Sequence, residues 1–392
     1  MWQSTCIIIE FSLVNTRPWN PAGQPGLAQW WGFCSAEPAV KFTLVHYALA
    51  RGGGMERYLT DLLRGFAEAS VGTRVVAGRA DGRMSDELGT EVVLFPAAFK
   101  PRLAAKLVFY LRVRRWLRQH AGEPTLGIAR VPGVQVMVCG GNHAGYLRAR
   151  GRRGGFADRL ELHMERRAYA EARLIVAHSE MMRRELHELY GIPDEKLVRL
   201  YPPVDTQCFR RFSGDERAAL RRRFGFDGSR ARLLFPSGSH RRKGLDLLVE
   251  AVGLLPKDRC EIIVAGSRAP SGPAGLVRHV GRIEAMEELY AACDATVLPS
   301  RYEPFGLVYV ESALCGTPVV MPGTAGAAEI LAGPGMIVLP SLQPEAIAAG
   351  IREALQAGPA PATTVVADHG LSVAAHVRNL LALFPGEDVA NR

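Results

Sequence analysis

The stretch Phe42-Thr-Leu-Val-His-Tyr-Ala-Leu49-Ala-Arg51-Gly52-Gly53-Gly54-Met55-Glu56-Arg57-Tyr58-Leu59 decides the fold. Its first eight residues form a near-continuous apolar run. Such a run suits a strand covered on both faces rather than one with an alternating solvent face. Three consecutive glycines then supply a tight turn. Beyond them Tyr58, Leu59, Leu62, Leu63 and Phe66 recur at helical spacing, so residues 55–69 are expected to be a helix with one buried side. Strand, glycine turn and helix together open a βα unit.

The same alternation continues outward. Apolar runs predict strands at 74–77, 92–95, 126–129, 134–139 and 174–177, and periodicity predicts helices at 103–119, 156–172 and 180–190. Tyr201-Pro-Pro-Val-Asp205 reads as a boundary, after which the pattern restarts. Strands are expected at 233–235, 261–265, 295–298, 318–321 and 336–339. Helices are expected at 244–255, 286–293, 305–315, 345–356 and 373–384, with a polar loop at 237–243. The expected class is α/β, with two facing Rossmann-like βα domains, 41–204 and 205–370, and a ligand cleft at the carboxyl ends of their strands. Residues 371–392 are expected to form a helix and tail that pack back on the first domain.

Composition agrees with this reading. At 392 residues the chain has room for two domains. With 48% hydrophobic and 22% charged residues it is neither disordered nor collagen-like. Seven cysteines without paired spacing argue against a disulfide scaffold and for a reducing compartment. No apolar run reaches the roughly 18 residues a membrane-spanning helix needs. Residues 1–40 stand apart: they hold Trp2, Trp19, Trp30 and Trp31, four of the five tryptophans, with Cys6 and Cys34. Their apolar run lacks the basic residues that precede the core of a signal peptide. They read as a poorly ordered extension; the alternative is an apolar arm that touches a membrane or partner.

Four segments carry candidate chemistry. The first is Pro299-Ser-Arg-Tyr-Glu303-Pro-Phe-Gly306-Leu307-Val308-Tyr-Val-Glu311-Ser-Ala-Leu-Cys-Gly316-Thr-Pro318. Gly306 opens a helix, and backbone N–H groups at a helix start favour an anion such as diphosphate. Glu303 and Glu311 flank that point and can accept hydrogen bonds from hydroxyls, an arrangement that suits a sugar nucleotide. The same two residues also fit plain solvated acids at a helix end. The second, Ser237-Gly-Ser-His-Arg-Arg242-Lys243-Gly244, puts cations between a strand and a helix, where they would neutralise a leaving diphosphate or form a solvated basic loop. The third is the glycine turn, where Gly53 and Gly54 let backbone approach a phosphate. The fourth is Cys139-Gly-Gly-Asn142-His143-Ala-Gly-Tyr146, whose lone histidine is by itself most often structural.

The Glu303–Glu311 stretch resembles the E-x7-E motif of the retaining glycosyltransferases of family 4, which have the GT-B fold. The resemblance runs from about Lys41 to Phe384. It includes the Gly52–Gly54 loop, Ala177-His-Ser179, Arg242-Lys243-Gly244 and Gly323-Thr-Ala-Gly326-Ala-Ala-Glu329. Within the family it is most like the lipopolysaccharide core glucosyltransferase I group. The resemblance implies that Glu303 contacts hydroxyls of the donor sugar and that Gly306, Leu307 and Val308 present N–H groups to the diphosphate. Glu311 would hold the ribose, Arg242 and Lys243 would stabilise leaving UDP, and Gly53 and Gly54 would close over the phosphates. His143 would face sugar and acceptor, and Arg282 would lie where the family holds the base. Ser267–Arg278 departs from the pattern, being short and rich in Pro and Gly, as do the first 40 residues, on which donor binding is expected not to depend.

The implied activity is hexose transfer from a UDP-sugar, UDP-glucose among them, with retention of configuration. The acceptor would be lipopolysaccharide core or another envelope glycan. Alternatives are an exopolysaccharide, glycolipid or small-molecule acceptor, or a non-catalytic sugar-nucleotide-binding protein. No protein nucleophile and no cofactor are expected. No Asp-x-Asp pair and no Cys-x-x-Cys pair occurs, so no metal is expected. Charge points to a surface: residues 100–167 hold fifteen Lys and Arg against four Asp and Glu, an excess of +11 in a chain whose net charge is +9. Basic residues near an anionic bilayer add about 1 kcal/mol each. The expectation is a cytoplasmic protein docked peripherally on the inner face of the membrane beside a lipid-linked acceptor. A nucleic-acid partner, the rival reading of a basic patch, is not expected because no such motif accompanies it.

Overall fold

The structure is a computed structural model that describes residues 41–96, 102–151, 153–226, 228–266, 269, 273, 275–360 and 363–384. The N-terminal extension, part of the Ser267–Arg278 segment and the last eight residues of the tail lie outside the described residues.

The strands of the first lobe are β1 (Phe42–Val45), β2 (Ala48–Leu49), β3 (Thr73–Ala77), β4 (Arg79–Ala80), β5 (Glu91–Leu94), β6 (Thr125–Gly127), β7 (Val136–Cys139), β8 (Leu174–Ala177) and β9 (Leu197–Arg199). Those of the second are β10 (Ala231–Pro236), β11 (Cys260–Ala265), β12 (Val277–Gly281), β13 (Ala295–Val297), β14 (Val319–Pro322) and β15 (Met336–Leu339). A seven-stranded sheet runs β5-β3-β1-β6-β7-β8-β9 and a six-stranded sheet β12-β11-β10-β13-β14-β15, every pairing parallel. The reason for the continuous apolar runs is visible in β7. Val136 and Val138 join the core layer on one face while Met137 and Cys139 join the layer on the other. A strand period of two then leaves no face for polar residues.

Some local expectations change. The run from Phe42 to Leu49 is two strands: beyond Val45 the chain leaves the sheet, and β2 pairs with β4 in a separate ribbon. The loop expected at 237–243 contains a helical turn, His240–Lys243, whose four polar residues carry no apolar periodicity to betray it. Helices His143–Ala149 and Gly214–Arg223 had no sequence expectation. The first is only seven residues long, and the second has no buried residue.

The C-terminal helix, Val373–Leu381, returns to the first lobe and packs on helix Gly54–Glu68. Gly65 permits the approach, since a Cβ there would lie 2.7 Å from Val373 Cγ1 and Val377 Cγ2. Tyr58 Oη meets His376 Nε2 at 2.9 Å, and Phe384 sets its ring edge against Phe42. The lobes also meet directly. Glu329 accepts from the N–H groups of Glu180 and Met181 at 2.8 and 2.9 Å, capping the first turn of a helix in the opposite lobe. Ser179 Oγ donates to Pro304 O at 2.7 Å beside it.

Candidate active site

Carboxyl ends of strands from both sheets open into one cleft of about 940 Å³. All eleven residues singled out in the sequence line it: Gly53, Gly54, His143, Arg242, Lys243, Arg282, Glu303, Gly306, Leu307, Val308 and Glu311.

Its floor is the segment after β13. Gly306 adopts φ +93° and ends the loop from which helix Leu307–Leu314 starts. A side chain there would collide with the Tyr309 ring at 2.6 Å. The first N–H groups of a helix have no intrahelical acceptor, so this end is electropositive and open to an anion. Gly244, at φ +82°, has room for no Cβ because Pro299 O would be 2.2 Å away. Arg301 N donates to Arg242 O at 2.9 Å, which locks the two segments together.

That clasp delivers two cations to Glu303. Lys243 Nζ lies 2.8 Å and Arg242 Nη1 3.6 Å from Glu303 Oε2, and Arg242 also donates to Tyr302 O at 2.9 Å. Burial pushes the Glu303 carboxyl up, but Lys243 and Arg242 outweigh it and hold the group below the usual carboxylate range. Glu311, on the second turn of the helix, is equally buried and meets a different balance. Its Oε2 accepts from Tyr290 Oη at 2.8 Å and its Oε1 from Arg57 Nη1 at 3.3 Å across the cleft. Here burial prevails over Arg57 and the carboxyl is raised.

The first lobe supplies the opposite wall. Gly54 begins helix Gly54–Glu68, and a Cβ on it would meet only open space, so a ligand can approach its backbone. His143 begins the helix capped by Asn142, whose Oδ1 accepts from Gly145 N at 2.6 Å. Its N–H donates to both oxygens of Glu165 at 3.0 Å, and its Nε2 meets Asp158 Oδ1 at 2.8 Å. The histidine is thus held by two carboxylates that sequence reading did not find, 15 and 22 positions away. Arg57, Tyr290 and Tyr302 also escaped it. Arg57 and Tyr302 had a signal, since one follows the glycine turn and the other directly precedes Glu303. Arg282 sits exposed just beyond β12.

The arrangement can hold a diphosphate between a helix start and two cations, with hydroxyl-accepting carboxylates to either side. Fixed donors and charges of this kind are able to stabilise a leaving diphosphate. Among the described residues no group of three or more His, Cys, Asp or Glu is placed to hold a metal ion, and no helix is long and apolar enough to cross a membrane.

Fold and site define a class, the GT-B glycosyltransferases, and comparison with known proteins agrees. The profile of glycosyltransferase family 4 matches residues 52–207 and that of glycosyl transferases group 1 matches residues 230–357. The chain is 39% identical over 344 residues to a probable transglycosylase of Burkholderia thailandensis, covering 86% of this chain and 94% of that one. The protein therefore belongs to this glycosyltransferase family. Among solved structures it resembles WaaG, a glycosyltransferase involved in lipopolysaccharide biosynthesis, with a TM-score of 0.70 at 19% identity over 89% of this chain and 96% of that one. It also resembles HepE of Anabaena in complex with UDP and glucose, with a TM-score of 0.67 at 17% identity over 88% and 98% of the two chains. These two likenesses speak to the fold.

Proposed function

We propose that this glycosyltransferase moves a hexose from a UDP-sugar, UDP-glucose first among the candidates, to an acceptor hydroxyl with retention of configuration and without a metal ion. The observation that carries the proposal is the convergence of Glu303, Glu311, Arg242, Lys243 and the Gly306 helix start on one cleft. In this reading Leu307 and Val308 N–H groups, Arg242 and Lys243 take the diphosphate, with Gly53 and Gly54 closing from the first lobe. Glu311 takes the ribose, Glu303 the sugar hydroxyls and Arg282 the base, while His143 faces sugar and acceptor. The likeness to a structure holding UDP and glucose supports the donor class.

Two acceptor readings stand level: lipopolysaccharide core or another envelope glycan on one side, exopolysaccharide, glycolipid or small molecule on the other. The excess of +11 over residues 100–167 supports docking on an anionic membrane. Co-sedimentation with anionic but not neutral liposomes is expected; equal recovery with both would remove that element. The deciding experiment is a thermal-shift screen of UDP-, GDP- and ADP-sugars, followed by acceptor-free hydrolysis assays with and without EDTA. UDP-hexoses are expected to raise Tm and to be hydrolysed slowly in both conditions, with Glu311→Ala abolishing both effects. If UDP-hexoses bind without any turnover, the non-catalytic alternative takes over, and if they do neither the donor assignment fails. The anomeric configuration of the transferred sugar, read by NMR, tests retention.

A further inference from the structure

Arg57 is a cleft residue with no part in the reading above. It lies on the first turn of helix Gly54–Glu68, its N–H bonded to Gly53 O, and its side chain leaves the first lobe to meet Glu311 in the second. The two positions are 254 residues apart in sequence. The guanidinium rests on the Phe209 ring, 4.7 Å from its centroid, which fixes its direction. Its target is 5% exposed, so few other groups can reach that carboxylate.

We propose that Arg57 is a positioning residue: reaching across the cleft, it orients the Glu311 carboxylate to accept donor hydroxyls and opposes its neutralisation. The nucleotide half of the site is then complete only when both lobes contribute. This rests on the reading of Glu311 as a nucleotide contact.

The groups around Glu311 show that Arg57 is the main counterweight to burial there. From the second lobe it faces the Tyr290 hydroxyl and the Glu287 carboxylate on helix Met286–Ala292, Lys243, and the Cys315 thiol. From the first lobe it faces Arg57 and, behind it, Asp61. Cys208 and Asp205 stand on the connecting segment beside Arg57 and Asp61. Burial and Glu287 favour the neutral acid, and Arg57 is the largest influence for the charged form. A neutral carboxyl turns one oxygen into a donor and accepts from hydroxyls without the help of a charge.

The test is calorimetric titration of UDP into the full-length protein, wild type, Arg57→Gln, Arg57→Lys, Glu311→Gln and the Arg57→Gln/Glu311→Gln pair, from pH 6 to 9. The ratio of Kd values, Arg57→Gln over wild type, cancels the titration of UDP itself. It is expected to be small at pH 9 and to climb as pH falls, by about tenfold for each unit the variant raises the Glu311 pKa. Arg57→Lys is expected to restore most of the affinity. In the Glu311→Gln background the Arg57→Gln ratio is expected to be flat. A ratio independent of pH would mean that Arg57 acts on the phosphates or on folding, and the proposal falls. A slope persisting without Glu311 would assign the effect to Asp61 and also overturn it. Unchanged UDP affinity in Glu311→Gln alone is a separate result: it removes the nucleotide reading of Glu311, and the role of Arg57 with it. If Arg57→Gln does not fold, Arg57→Met, with an unbranched apolar side chain, carries the same comparison.

Discussion

Two glutamates eight residues apart on one segment, Glu303 and Glu311, have their carboxyl pKa values moved in opposite directions, and the neighbours explain both. Glu303 carries Lys243 at 2.8 Å. Its folded pKa lies below the unfolded one, so its stabilisation is complete above roughly pH 4.3 and is lost as pH falls further. Glu303→Gln leaves Lys243 buried without its counter-charge, an expected cost of roughly 3–5 kcal/mol by urea unfolding at pH 7. UDP-hexose turnover is expected to fall by on the order of 10² or more. Equal unfolding midpoints at pH 7 would show that the pair contributes nothing. Glu311 has the reverse sign. A buried acid with a raised pKa costs stability while charged, so Glu311→Gln is expected to raise Tm by on the order of 2 °C at pH 8 while weakening UDP binding. A lower Tm would contradict that balance. Both glutamates are legible as a pair in sequence, but their states are not. Lys243 comes 60 residues earlier and Arg57 from another lobe.

At the scale of elements, apolar runs and helical periodicity located most strands and long helices because burial on both sheet faces leaves a continuous signal. Two of the short elements they missed turn on particular residues. Helix His143–Ala149 depends on the Asn142 cap, and the turn His240–Lys243 on Gly244 packed under Pro299 O. The crossing of helices Gly54–Glu68 and Val373–Leu381 depends on Gly65. Gly65→Ala gains helix propensity of about 0.5–1 kcal/mol but drives a methyl into two stiff valines, an overpacking cost of about 1–3 kcal/mol. The net expectation is a loss of about 1 kcal/mol in urea unfolding; a stabilised variant would mean that the helices can separate freely. Gly326 plays the matching part at the lobe seam, where a Cβ would lie 2.3 Å from Pro304 O and 2.6 Å from Ser179 Cβ.

For the whole molecule, closure brings histidines together in the dark. Tyr58 packs against His178 and His376, from strand end and C-terminal helix, with ring centroids 4.8 and 5.5 Å away. Burial lowers both imidazoles to about 3, and burial against the pull of Glu56 lowers His46 to about 4. The unfolded chain therefore takes up three protons below about pH 6.5 that the folded one refuses. Asp61, raised by burial to about 6, acts the other way, leaving roughly two net protons, or about 2.7 kcal/mol lost per pH unit between pH 6 and 5; Glu311, raised by burial, acts in the same direction as Asp61. His178→Asn is expected to flatten that slope in urea unfolding at pH 6 and 5, and an unchanged slope would refute the assignment. The sequence by itself determined the α/β class and the tandem βα order, because these depend on local periodicity; the residues proposed for the donor were picked out by short motifs and by what their resemblance to family 4 implies. Tertiary structure alone decided which groups flank them: Arg57 against Glu311, Asp158 against His143, Glu329 across the seam and His376 beneath Tyr58. Each of these contacts joins residues brought together by chain reversal or by the meeting of two sheets, and no local pattern records such a meeting.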